Sequence, residues 1–102
     1  MAKTRNELHA KLKEILGSSN VYFQPPNNLH MKYPCIIYKH TDYYTKQADN
    51  LRYFMKKQYT LTVITKDPDS PIPDKILKLP YTRFDRSYEA DNLYHKVITI
   101  YY

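Results

Sequence analysis

The segment from Arg52 to Lys66, RYFMKKQYTLTVITK, constrains the fold more than any other stretch of the chain. Large apolar residues recur there at every second position, interrupted by Lys57; they are Tyr53, Met55, Tyr59, Leu61 and Val63. The intervening positions include Lys56, Gln58, Thr60 and Thr62. Because successive side chains of a strand point to opposite faces, this alternation predicts an antiparallel strand with a core face and a face for solvent or a partner.

The N-terminal segment has the period of a helix instead of a strand. An apolar stripe at i, i+4, i+7 and i+8 is formed by Leu8, Leu12, Ile15 and Leu16, which predicts a helix from Thr4 to Leu16. Thr4 and Glu7 have the spacing of a capping box. The only glycine of the chain, Gly17, follows the stripe where a positive φ is common. A helix this short is not stable alone, so the stripe is expected to pack on a sheet.

The remaining segments complete a predicted order of α-β-β-β-α-β-β. They comprise a short edge strand or extended arm over Asn20–Gln24, a strand after Pro34, a short helix capped by Ser70 or Asp74 and ending at Leu79, and a closing hairpin. The predicted class is α+β, with an antiparallel sheet covered on one face by the N-terminal helix and the short second helix. A chain of 102 residues is expected to form one domain, over residues 1–102.

The tetrapeptide ADNL occurs twice, at Ala48–Leu51 and Ala90–Leu93. Each copy lies between two runs with strand composition. Asp and Asn adopt turn geometries readily because their side chains bond to neighbouring backbone groups. We therefore interpret the repeat as one turn used twice, rather than as a duplicated active site.

Residues that would support catalysis or metal binding are not grouped in a recognisable pattern. The four histidines lack the i, i+4 spacing of a zinc site. The single cysteine, Cys35, heads an apolar strand and is interpreted as a small buried hydrophobe, not a nucleophile. Asp67-Pro68-Asp69 resembles a cation ligand pair but fits a proline-stiffened turn better. We predict no enzyme activity, no cofactor and no metal.

The composition favours protein contacts. The chain has twelve tyrosines, a residue that suits half-buried sheets and protein interfaces. The formal net charge of +6 permits nucleic-acid binding, but the basic residues are scattered. A lone cysteine excludes an intrachain disulfide, and we expect neither a signal peptide nor a membrane span.

The tip of the first hairpin, TDYYTKQADNLR, is the predicted site of partner contact. It is polar and contributes little to a core, yet it carries two adjacent tyrosines. The hypothesised contact residues are Tyr43, Tyr44, Lys46 and Arg52. Exposed tyrosines recur at interface hot spots, and the two cations could meet acidic groups of a neighbour. A solvated loop without a partner is the alternative.

Several strings of this chain resemble a family of small proteins from the structural-gene clusters of long-tailed phages and prophages of Gram-positive bacteria. Members are described as tail terminator, tail completion or head–tail neck proteins. The resemblance extends over nearly the whole chain. Its most specific strings are YFQPP at Tyr22–Pro26, YPCIIY at Tyr33–Tyr38, DPDS at Asp67–Ser70 and ADNLYH at Ala90–His95.

The resemblance implies a structural role without a reaction. It implies a homo-oligomeric ring, commonly a hexamer, that caps the tail tube protein and joins it to the head–tail connector protein. DNA would pass through the lumen without sequence-specific binding. The implied location is the virion, after assembly in the host cytoplasm. The alternatives are an adjacent head–tail connector or neck protein and a small nucleic-acid-binding protein.

Overall fold

The computed structural model describes residues 5–25, 32–48 and 51–102, with the backbone alone for 43–48 and 51–56. The elements are, in chain order, α1 (Arg5–Leu16), β1 (Val21–Phe23), β2 (Cys35–Ala48), β3 (Leu51–Thr65), α2 (Ile72–Leu77), β4 (Thr82–Ala90) and β5 (Leu93–Tyr101). This order is the predicted one, and the fold is α+β.

The described strands form one five-stranded sheet in the order β1-β2-β3-β5-β4. The pairs β2–β3, β3–β5 and β4–β5 are antiparallel, as predicted. The sheet is mixed, because the short edge strand β1 runs parallel to β2 with Val21 opposite Ile36. Residues 24–34 supply about the dozen residues that a parallel return needs, and residue alternation gives no sign of strand direction.

The helix α1 confirms the predicted stripe. Leu8 and Leu12 are fully buried, and Ile15 and Leu16 pack at the margin of the same core. Gly17 ends the helix with a φ of +79°, and its N–H donates to the carbonyl of Lys13 at 2.8 Å. Thr4 of the predicted capping box lies outside the described residues.

The core lies between the helices and one face of the sheet. The register places Tyr38, Leu61 and Ile98 side by side across three strands, and all three are fully buried. Ile72 and Ile76 of α2 belong to the same cluster as the leucines of α1. Both helices therefore cover one face. We call the other one the open face; Ile37, Thr62 and Val97 stand side by side there.

The start of α2 differs from the predicted capping. The N-cap position is held by Pro71 without a side-chain bond, and Asp74 lies in the first turn. Ser70 stands one position too early; its hydroxyl accepts the N–H of Ile72 at 3.3 Å, in a local turn. The helix ends at Leu77, two residues before the predicted end.

The second ADNL is a two-residue hairpin turn. Asp91 and Asn92 both have a positive φ, 54° and 61°, as a type I′ turn requires. This confirms the turn interpretation for that copy. In the first copy, β2 ends at Ala48 and β3 begins at Leu51, while Asp49 and Asn50 lie outside the described residues.

The turn yields a stability prediction. The variant Asn92→Val should lower the free energy of unfolding by about 1–2 kcal/mol, because a β-branched residue is strained in the left-handed region. The control Asn92→Gly accepts a positive φ without a steric cost and should stay close to the parent. Urea unfolding followed by circular dichroism measures both. A valine variant as stable as the parent would refute this account of the turn.

Candidate partner interface

The strands β2 and β3 extend beyond the rest of the sheet. Pairing between β3 and β5 reaches only Gln58 and Tyr101, and Tyr102 adds a last pair of backbone bonds with Lys57. The β2–β3 ladder continues past this point to Ala48 and Leu51. We call the projecting ribbon, residues 43–48 and 51–56, the arm. Six residues at about 3.3 Å each make it about 20 Å long.

The arm carries every residue of the predicted contact site. Tyr43, Tyr44 and Lys46 lie in β2, and Arg52 lies in β3. In the register Tyr44 is opposite Lys56, and Arg52 is opposite Gln47. The segment predicted as a polar hairpin tip is therefore mostly strand, because strand pairing continues through most of it. The side chains of these four residues lie outside the described part of the chain, so their proposed contacts stay predictions.

A β-bulge marks the root of the arm. The register shifts between His40 and Asp42, which leaves Thr41 as an extra residue in β2. The hydroxyl of Thr41 donates to the carbonyl of Gln58 at 3.2 Å, across the ladder. Bulges bend the bulged strand and increase its twist. The ribbon therefore changes direction where it leaves the sheet.

A second exposed surface, missed in the sequence, is formed by β4 at the far edge of the sheet. All its residues from Arg83 to Glu89 are exposed. Phe84 and Tyr88 have 46% and 44% of their surface accessible, and the adjacent Tyr81 has 62%. A register shift between Phe84 and Arg86 places Phe84 and Tyr88 on opposite faces of the sheet, so this edge exposes aromatic surface on both faces and is a candidate for interaction. The sequence signal was YTRFDRSYE, in which aromatic and charged residues share a strand without a clean apolar face.

Polar contacts hold the middle of β4. The register shifts between Phe84 and Arg86, so that Asp85 is the extra residue of a bulge. The Asp85 carboxylate accepts a hydrogen bond from the buried Thr99 hydroxyl and another from Arg83 Nε, the latter at 3.0 Å. The bulge therefore turns Asp85 towards the open face, where it satisfies a buried group of β5.

The end of β4 next to the turn carries an aromatic stack. The rings of Tyr88 and His95 are nearly parallel, with 4.6 Å between centroids and an interplanar angle of 9°. The guanidinium of Arg86 lies 5.8 Å from the Tyr88 centroid. These contacts order Tyr88 while it is still exposed, which lowers the entropy cost of using it in an interface.

A shallow cavity of about 260 Å³ opens where α1, the end of β5 and the α2–β4 connection meet. Its lining is mainly apolar and includes Lys11, Leu79, Pro80, Tyr81, Ile100, Tyr101 and Tyr102. A cavity of this size lies below the usual range of small-molecule sites. It suits a single side chain of a protein partner better than a substrate.

The described residues offer little nucleophilic chemistry. Cys35 is fully buried, which confirms its interpretation as a small hydrophobe, and burial raises the pKa of its thiol to about 11. Asp67 forms a local turn, with its carboxylate accepting the N–H of Asp69 at 2.9 Å. Among the residues that the structure describes, no group of three or more metal-ligating side chains comes together.

Away from these candidate surfaces, a polar contact connects α1 to the sheet. His9 Nδ1 lies 2.6 Å from the hydroxyl of the fully buried Tyr38. The guanidinium of Arg5 stacks on Phe23, 4.4 Å from the ring centroid. Burial lowers the pKa of His9, and the charges of Lys13 and Arg5 lower it further. His9 is therefore a structural group that favours the neutral form.

This shift predicts a loss of stability in mild acid. The unfolded chain binds a proton at His9 near pH 6.5, whereas the folded chain binds it only at lower pH. The contribution of His9 is therefore present above pH 6.5 and lost as the pH falls below it. Urea unfolding at pH 7.5, 6.5 and 5.5 should show the decline, and His9→Gln should flatten it. An unchanged slope in that variant would contradict the assignment.

No protein-family model and no curated protein matches this chain. No helix in the described ranges is long and apolar enough to cross a membrane.

Proposed function

We propose that this protein is a structural virion component that assembles into a homo-oligomeric ring, caps the tail tube and joins it to the head connector. It acts without catalysis and without a cofactor. The ring is a hexamer in this proposal, and DNA passes through its lumen without sequence-specific binding. The support comes from the strings that resemble tail terminators, from the α+β fold, and above all from the arm.

The arm supports an assembly role because a two-stranded ribbon is marginally stable in water by itself. Within the described residues, no third strand pairs with it beyond Lys57. A ribbon about 20 Å long is more stable when a neighbour packs on it. The twelve tyrosines, two of them adjacent in the arm, supply the type of side chain that such contacts use.

Ring closure places a condition on the subunit. A ring is built from head-to-tail contacts, so two different surfaces of one subunit must fit each other. The arm projects at one end of the sheet. The open face and the connections at the other end of the sheet are separate surfaces of the same subunit. An arm resting on the next subunit satisfies this condition, and each subunit would then order the ribbon of its neighbour.

The direct test removes the arm and keeps the sheet. Residues 43–57 are replaced by Asn-Gly, which joins Asp42 and Gln58 through a two-residue hairpin. These two residues are a hydrogen-bonded pair of the β2–β3 ladder, because Lys57 bonds to Tyr102 on the other side. The parent should form rings in native mass spectrometry and in negative-stain images, alone or on tail-tube protein. The shortened chain should fold but form no rings. A monomeric parent in the presence of tube protein would refute the ring.

The same preparation separates the alternatives. Binding to connector protein but not to tube protein would indicate an adjacent neck component. A dedicated nucleic-acid binder would bind duplex DNA and lose affinity steeply as salt rises, because binding releases counterions. A ring that merely surrounds DNA should show weak binding in solution.

A further inference from the structure

Among the strands that the structure describes, β4 is an edge strand. The backbone groups on its outer edge can be assigned from the bonds of its inner edge. The N–H of Tyr101 donates to the carbonyl of Tyr81 at 3.0 Å, and Ala90 and Leu93 flank a two-residue turn. Both pairs are therefore hydrogen-bonded pairs of the β4–β5 ladder. Because bonded and non-bonded positions alternate on each side of the bulge, the outward backbone groups belong to Thr82, Phe84, Ser87 and Glu89.

These outward positions are symmetric about the bulge. The midpoint between Asp85 and Arg86 is also the midpoint between Phe84 and Ser87, and between Thr82 and Glu89. A second β4 placed antiparallel about this midpoint brings Phe84 opposite Ser87 of the other copy, and Thr82 opposite Glu89. Four outward residues on each strand then form about eight N–H···O=C bonds, since each bonded pair exchanges two.

We propose that two copies of this chain associate through β4, edge to edge, and form one continuous sheet across a two-fold axis. The axis passes between Asp85 and Arg86. The paired faces also agree: Phe84 and Ser87 share the helix-covered face, and Asp85 and Arg86 share the open face. A two-fold contact uses the same surface on both copies and stops at two.

The bulge selects a second copy as the partner. An edge strand with an extra residue cannot pair evenly with a regular strand, which is how bulges protect sheet edges. When the partner strand has the same extra residue at the same place, the two strands have equal numbers of residues between their bonded pairs. The antiparallel copy of β4 meets this requirement by symmetry.

Charge complementarity also favours this pairing. Arg86 of one copy stands opposite Asp85 of the other, and the relation occurs twice across the axis. Arg83 stands opposite Tyr88, an arrangement that allows a cation–π contact. The exposed surface of Phe84 and Tyr88 is covered in the process. The contact is independent of the arm, so it neither requires nor excludes the proposed ring.

The first test is the concentration dependence of mass. Sedimentation of the full chain without tube protein should show a mass that doubles as the concentration rises. Arg86→Glu should raise the dissociation constant of this doubling at least about tenfold, because it places like charges twice across the axis. Lys39→Glu makes the same charge change on the open face of β2 and should leave the constant within about twofold. Equal effects of the two variants would overturn the proposed contact.

Disulfide trapping tests the register itself. Phe84→Cys and Ser87→Cys are prepared separately and mixed under oxidising conditions. Paired positions have Cα atoms about 5.5 Å apart, within disulfide range, whereas either variant alone places its cysteines about 10 Å apart. Cys35 is fully buried and supplies little background.

The mixture should cross-link several-fold faster than either variant alone. Equal rates in all three samples, or a parent that stays monomeric at several hundred micromolar, would overturn the proposal. Ser87→Pro removes an outward N–H and should abolish the dimer, while Ser87→Ala keeps that N–H and should not. Circular dichroism confirms that each variant is folded. The arm-shortened chain should dimerise like the parent, which separates this contact from the ring.

Discussion

Replacing Leu12 with alanine is expected to lower the free energy of unfolding by about 2–5 kcal/mol. Leu12 is fully buried, and it lies in the same cluster as Tyr38, Leu61 and Ile76. The loss combines the transfer free energy of the removed carbon atoms with the cost of the cavity that remains. Since domains of this size are stable by about 5–15 kcal/mol, the change is a large fraction of the total.

The control for this variant is in the same helix. Lys13 is exposed, so Lys13→Ala removes a long side chain without opening a cavity and should change the free energy by about 0.5 kcal/mol or less. Urea unfolding of parent and variants, with equal slopes, gives the comparison. If Leu12→Ala and Lys13→Ala unfold at the same urea concentration, α1 does not pack on the sheet through its predicted stripe.

The features predicted best are those encoded locally. The stripe of α1 and the alternation of β3 are repeats of neighbouring residues, and the structure buries Leu8, Leu12, Leu61 and Val63 accordingly. The turn at Asp91 was predictable for the same reason, since its geometry depends on two residues. In each case the burial or the dihedral angles follow from side chains within a few positions of each other.

Features that depend on the pairing of distant strands could not be predicted from the sequence. Whether β1 runs parallel or antiparallel depends on where the chain returns, and the apolar pattern is the same for both. The register shift at Asp85 depends on pairing with β5, so the exposure of Phe84 and Tyr88 could not be read from YTRFDRSYE. The charged and aromatic composition of that string is nevertheless typical of an edge strand.

The candidate site also combines features that are encoded locally with features that depend on distant strands. Tyrosine and cation composition located the contact residues in one stretch, and the structure places all four positions on a single ribbon. That the ribbon projects beyond β5 depends on the end of the β3–β5 ladder at Gln58, a non-local property. The projection is what makes the tyrosines candidates for contact with another subunit, instead of members of a short solvated loop.

The double variant Tyr43→Ala with Tyr44→Ala should fold with a near-normal melt and lose ring assembly or tube capping. Both positions lie in the arm, away from the described core, so their removal leaves the packing of α1 and α2 intact. Two interface tyrosines each worth about 2 kcal/mol would weaken a contact by roughly a thousandfold. Tyr33→Ala removes an exposed tyrosine outside the arm and outside β4, and it should assemble normally. Native mass spectrometry and capping of tail tubes measure both; assembly at parental levels in the double variant would place the interface outside these tyrosines.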